Sequence, residues 1–131
     1  MSGPAGTHRR RVEWADTDAS GIYHNTTVAR LVEAAEAELM RGLGIDFAPA
    51  APRVRYEVEF ASPLRFGDEA VTTVRVAELG RTSLTFDFEV RRGADDVLAA
   101  RGRYVVVHVA GYDGEGASPW PDAWRSALEP S

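Results

Sequence analysis

Residues 14–45 read WADTDASGIYHNTTVARLVEAAEAELMRGLGI, and the rest of the chain is organised around them. Two carboxylates open the stretch two residues apart, Asp16 and Asp18. A turn follows, with Gly21 as the residue most able to take a positive φ. Next come Asn25, Thr26 and Thr27, any of which could cap a helix. Val28, Leu31, Val32, Ala35 and Leu39 then recur at helical spacing, which predicts a helix over about 26–42, stopped by Gly42 and Gly44. Arg30, Glu33, Glu36 and Arg41 lie away from the main apolar stripe, with Glu33 near its border. The segment therefore holds a carboxylate just ahead of a helix N-terminus. Unpaired backbone N–H groups and the helix dipole favour negative charge there. A site needing one carboxylate and one developing oxyanion can be built from it.

Working outward, residues 1–6 carry no periodicity and are expected to be disordered. Residues 8–14 read as a first strand, with Val12 and Trp14 on one face and a solvated run of arginines. Residues 46–52 contain two prolines and read as a loop. Val54, Tyr56, Val58 and Phe60 alternate with Arg53, Arg55, Glu57 and Glu59, the period of a half-buried strand. Residues 70–79 repeat the pattern, and so do Leu84, Phe86, Phe88 and Val90. Residues 92–96 read as a hairpin loop. Residues 97–109 form the longest strand candidate, apolar on both sides around Tyr104 and so expected inside the sheet. Residues 111–119 turn to Gly, Pro and Ser, and 120–128 suggest a short surface helix; 111–131 are expected to be flexible or peripheral. One long helix followed by closely linked strands predicts a single α+β domain: five antiparallel strands curled around the helix.

Composition narrows the function. The chain has 131 residues, enough for one domain. Its net charge of −5 does not favour nucleic acid. No apolar run approaches the roughly 20 residues of a membrane span, and no secretory signal opens the chain, so a cytoplasmic location is expected. All 15 basic residues are arginine, which removes Schiff-base and lysine-base chemistry. Without cysteine there is no disulfide, thiolate metal site or Cys nucleophile. The histidines at 8, 24 and 108 have no metal-ligand spacing, and neither a metal nor a cofactor is expected. Asp18 reads either as a nucleophile or base, or as a turn residue bonded to nearby N–H groups. Asp16 reads rather as a tie within the loop.

Element order and the opening motif resemble the hot-dog fold of the 4-hydroxybenzoyl-CoA thioesterase-like acyl-CoA thioesterases. The resemblance rests on residues 12–22 (VEWADTDASGI) and on Leu43-Gly44-Ile45. Residues 56–60, Pro63, Gly67-Asp68 and 80–84 carry it more weakly. It implies hydrolysis of a coenzyme A thioester, or of a carrier-protein thioester, by Asp18. The backbone N–H of Asn25 would polarise the carbonyl. It also implies substrate contacts from Gly21, Ile22, His24 and Glu33, and coenzyme A contacts from Arg81 and Ser83. Many relatives carry a histidine where this chain has Asn25; here the histidine, His24, comes one residue earlier. A homodimer, or a tetramer of two dimers, would complete the pocket and cover an open sheet edge. Two other readings remain: a hot-dog hydratase or dehydratase, whose Asp and His spacing Asp18, Ser20 and His24 do not match, and a non-catalytic acyl-thioester-binding protein.

Overall fold

A computed structural model describes residues 3–45, 51–110 and 116–130. The loop expected at 46–52 and the tail at 111–119 lie largely outside the described residues.

The strands are β1 (Ala5–Arg11), β2 (Arg53–Phe60), β3 (Glu69–Leu79), β4 (Ser83–Arg92) and β5 (Leu98–Val107). The helices are α1 (Thr27–Leu43) and α2 (Asp122–Leu128). All strand pairs are antiparallel in one sheet of order β1-β3-β4-β5-β2. The chain enters on one edge, crosses the sheet as α1 and resumes on the other. This is the five-stranded hot-dog sheet with its single long helix. Tyr104, in the interior strand β5, is fully buried, as its two-sided apolar setting requires.

α1 buries Val28, Leu31, Val32, Ala35, Leu39 and Met40 against the inner face of the sheet. Its end is fixed by Gly44 at φ 72°, whose N–H returns to Arg41 O, while Gly42 stays inside the helix. Where α1 crosses β1 the backbones nearly touch. A Cβ on Gly6 would stand 2.6 Å from Ala35 O and from Leu39 N, so only glycine fits there.

Four expectations need correction. First, β1 begins at Ala5, so Ala5 and Gly6 are paired with Arg75 and Val74 rather than disordered. It also ends at Arg11: Trp14–Asp16 form a 3-10 turn, and Trp14 lies in water instead of packing beside Val12. Second, the arginine run is not uniformly solvated. Alternation turns Arg10 inward, where it meets Asp16. Third, Glu36 is buried, held by Arg53 Nη2 at 2.7 Å and by the Tyr104 hydroxyl at 2.5 Å. A long-range pair, invisible to helical periodicity, makes that burial affordable. Fourth, Val54 is 61% and Phe60 51% exposed although they alternate with charged residues, because β2 is an edge strand that no other strand of the described residues pairs with on its outer side. The C-terminal helix is short as expected, but its flanks are not peripheral: Trp120 and Leu128 are buried.

Candidate active site

The loop between β1 and α1 is built on Asp16. Its carboxylate is buried and takes a two-pronged contact from Arg10, Nη1 to Oδ2 at 2.7 Å and Nη2 to Oδ1 at 2.9 Å. Glu13 N–H adds a third bond at 2.8 Å. Its carbonyl accepts from His24 N–H at 2.6 Å and from Thr27 Oγ1 at 2.9 Å, tying the loop to the start of α1. The Arg10 bonds hold the Asp16 carboxyl below its ordinary range against the opposing effect of burial. Both carboxylate oxygens and the carbonyl of Asp16 are engaged, as a tie requires.

Asp18 differs. It is exposed, and Oδ1 accepts from both the N–H (2.8 Å) and the hydroxyl of Ser20. Those bonds hold its carboxyl below the ordinary range, the hydroxyl contributing most. The sequence suggested the helix dipole for this role; Ser20 fills it more directly. The turn closes through Gly21 N–H to Asp18 O at 3.0 Å and Asp18 N–H to Ile22 O at 3.1 Å, with Gly21 at φ 79°. Oδ2 of Asp18 has no partner among the described residues.

α1 starts from Thr26, which makes no side-chain cap. Instead His24 Nδ1 accepts from Thr26 N–H at 3.2 Å and shares a 2.8 Å contact with the Thr26 hydroxyl. Asn25 is exposed, caps nothing, and its N–H meets no acceptor among the described residues. The first turn contains no acidic residue. The N-terminal end of the helix therefore keeps its positive character.

Three clefts meet at this point. One, of about 320 Å³, is polar and lined by Asp16, Thr17, Asp18, His24, Thr26 and Arg30. A second, of about 300 Å³, is apolar and runs from Asn25 past Val28 and Ala29 to Tyr56, Val58 and Phe60. A third of similar size joins Asn25 and Phe60 to Ile22, Tyr23 and Pro63. The helix start is thus a ridge with a carboxylate on one side and apolar surface on the other. Glu33 is exposed on α1, and its charge acts on Tyr56, which lines the apolar cleft. Burial pushes the Tyr56 hydroxyl up to about 12, Arg53 opposes, and the Glu33 and Glu36 charges add to the rise. Among the described residues no group of three His, Asp or Glu could hold a metal ion, and no helix is long and apolar enough to cross a membrane.

Of the residues singled out in the sequence, Asp18, Gly21, Ile22, His24 and Asn25 come together, with Glu33 two helical turns away. Arg81 and Ser83 do not join them. Asp18 sits by the start of β3, whereas residues 80–83 turn the chain at its far end. The 11 residues of β3 separate the two by roughly 35 Å. Sequence reading missed Ser20 as the partner of Asp18, although Asp-x-Ser is the spacing of a side-chain turn. It also missed Arg10 and the Glu36–Arg53–Tyr104 group, which only the folded chain assembles.

The sequence profile described as the Thioesterase superfamily matches residues 20–99. The 1,4-dihydroxy-2-naphthoyl-CoA hydrolase of Synechocystis is 27% identical, over 93% of this chain and 93% of that protein. The solved 1,4-dihydroxy-2-naphthoyl-CoA thioesterase from Synechocystis superposes with a TM-score of 0.85 at 20% identity, covering 94% of each chain. A Thermus thermophilus thioesterase, solved with coenzyme A and Zn, gives 0.84 at 26% identity, covering 98% of this chain and 94% of that one. Profile, relatives and architecture agree: this chain belongs to the thioesterase superfamily and is a thioester hydrolase of the hot-dog fold.

Proposed function

We propose that this hydrolase acts on an acyl- or aroyl-coenzyme A, with Asp18 supplying the carboxylate and the Asn25 N–H the oxyanion contact. One observation carries the reading: an ionised carboxylate with an open oxygen stands beside a helix start whose Asn25 N–H is unengaged, and an apolar cleft leads away from that start. The acyl group enters the apolar cleft and its carbonyl oxygen meets Asn25 N–H. Asp18 Oδ2 either attacks the carbonyl carbon, forming an acyl-enzyme that water later opens, or takes a proton from an attacking water. In both routes the C–S bond breaks and the thiolate leaves. A thiolate is a good enough leaving group that no strong general acid is needed. Gly21 shapes the turn that holds Asp18, Ile22 walls the apolar side, and His24 organises the helix start through Thr26. Glu33 lies where the far end of the acyl group ends.

The functional unit is a homodimer, alone or paired into a tetramer. The exposed β2 edge, with Val54 and Phe60 on it, is where a second copy closes the apolar clefts. The relatives' names support coenzyme A as the thiol, since they act on coenzyme A thioesters or were solved with coenzyme A. A carrier-protein thioester is the same chemistry on another carrier. Steady-state thiol release from a panel of acyl- and aroyl-CoA esters and an acyl-carrier-protein ester tests the reading. Hydrolysis of at least one ester, abolished in Asp18→Asn, is the expected result; a folded protein inert to the whole panel overturns it.

A further inference from the structure

α1 begins without a side-chain cap from Thr26, and the group that serves its first turn is an imidazole. His24 is fixed through its backbone: its N–H donates to Asp16 O at 2.6 Å, and its carbonyl accepts from Thr27 N–H at 2.9 Å. Its side chain reaches past Asn25, so that Nδ1 accepts from Thr26 N–H at 3.2 Å. The same nitrogen meets the Thr26 hydroxyl at 2.8 Å. Asparagine and aspartate commonly close such a turn, with a side-chain oxygen on the N–H two residues on. Here a ring nitrogen takes that place. The closed turn spans Asn25, whose own N–H meets no acceptor among the described residues.

The choice of nitrogen has a chemical consequence. Thr26 N–H can only donate, so Nδ1 offers its lone pair and the proton of the neutral ring sits on Nε2. An amide oxygen in this position would keep its lone pairs at every accessible pH. An imidazole changes charge between about pH 5 and 8. With both nitrogens protonated, Nδ1 can still donate to the Thr26 hydroxyl but can no longer receive Thr26 N–H. Two N–H groups then face each other across the turn that holds Asn25. The charged groups around the ring are Asp16 and Asp18 of the loop, Arg30 of α1, and Arg10 of β1, which is paired with Asp16. A positive His24 favours the Asp18 carboxylate, so its protonation does not act by neutralising Asp18.

We propose that His24 is a positioning residue that works only as the neutral imidazole: its Nδ1 holds the turn that aims Asn25 N–H, and protonation releases that turn and slows the reaction. This rests on the reading of Asn25 N–H as the oxyanion contact and adds a control by pH to it.

Three profiles of kcat against pH test the proposal, run on the fastest-cleaved ester of the panel above. In the wild type kcat should fall in a step as His24 takes its proton, above the separate acid limb that Asp18 sets. The step should be roughly 10- to 100-fold, the size that a small misplacement of a reacting group commonly costs. His24→Ala should be slow and flat across the same range, near the low-pH value of the wild type. His24→Asn restores an acceptor at the same number of bonds from the backbone and does not titrate. It should recover most of what His24→Ala loses and show no step. KM should change less than kcat in both variants. Nitrogen-15 spectra of the unliganded wild type give a readout without hydrolysis. Neutral His24 should carry its proton on Nε2, and the amide signals of Asn25 and Thr26 should move as His24 titrates. A protein inert to every ester that still shows these shifts keeps the pH-gated turn and loses the proposed reaction. A wild type without the step, a step that persists in His24→Asn, or a neutral His24 protonated on Nδ1 overturns the proposal. His24→Asn as slow as His24→Ala at pH 8 also overturns it, because the imidazole itself then takes part in the reaction.

Discussion

Ser20 gives both its N–H and its hydroxyl to one oxygen of Asp18 and leaves the other oxygen open. The first predictions follow from that asymmetry. Asp18→Asn keeps the size and removes the charge. The fold should survive and kcat should fall by roughly 10² to 10⁴, with KM changing little. Asp16→Asn, assayed in parallel on whatever fraction folds, should keep far more of its kcat. Near-normal kcat in Asp18→Asn would transfer the chemistry elsewhere.

Ser20 is a positioning residue, so its signature is in the pH profile. In the proposed reaction Asp18 works as the carboxylate, present above its pKa and lost as pH falls through it. Ser20 holds that pKa below the ordinary value of about 3.9. The acid limb of kcat/KM should therefore lie below the usual Asp range. Ser20→Ala deletes the hydroxyl donor and lets the pKa rise, so activity should begin to fall at a higher pH while the neutral plateau changes less. An unmoved acid limb, measured with fold checked at each pH, would show that the Ser20 contact does not set the charge of Asp18.

Asp16 makes a stability prediction of the opposite kind. Its folded-state pKa is depressed by Arg10. Its contribution is complete above the unfolded value of about 3.9 and drains away as pH falls through the depressed one. Asp16→Asn leaves Arg10 without its charge partner and should cost about 3 kcal/mol at neutral pH. Urea unfolding of both proteins should show the gap narrowing below about pH 4. A gap that stays constant to pH 2 would mean that the ion pair is not its source.

These residues also show how far the sequence could be read. Val28 to Leu39 at helical spacing, Gly21 in its turn and the alternating strands were legible because each is a local rule: side-chain period, backbone freedom, turn chemistry. Asp18 stood out by its place before the helix. Arg10, Glu36 and Trp14 were misread for one shared reason. Their environments are set by partners distant in sequence (Asp16 across a strand end, Arg53 and Tyr104 from other strands, Phe66 from a separate loop), and a one-dimensional pattern carries no trace of them. Arg81 and Ser83 rest on the resemblance alone: within one chain the sheet sets them at the far end of β3 from Asp18.

Asn25 is proposed to act through its backbone. Asn25→Ala should therefore lose less than tenfold in kcat, whereas a lost oxyanion donor commonly costs 10² or more. If Asn25→Ala is as inactive as Asp18→Asn with its fold intact, the side chain itself takes part in the reaction.

The β2 edge supplies the last prediction. Val54 is mostly in water on an edge strand, and Phe60, at the other end of that strand, lines two of the clefts. A second copy paired along β2 would cover both residues and satisfy the open backbone groups of the edge. The protein should sediment as a dimer or larger at micromolar concentration. Val54→Asp sets a carboxylate in that contact without touching Asp18, Asn25 or the core. It should shift the protein toward monomer, and if the apolar clefts close across the contact as proposed, specific activity should fall as the protein is diluted. Wild-type dilution curves give the control: activity should track the dimer fraction in both proteins. A monomeric wild type with full activity would mean that one chain suffices, and the open clefts along β2 would then be the complete acyl site.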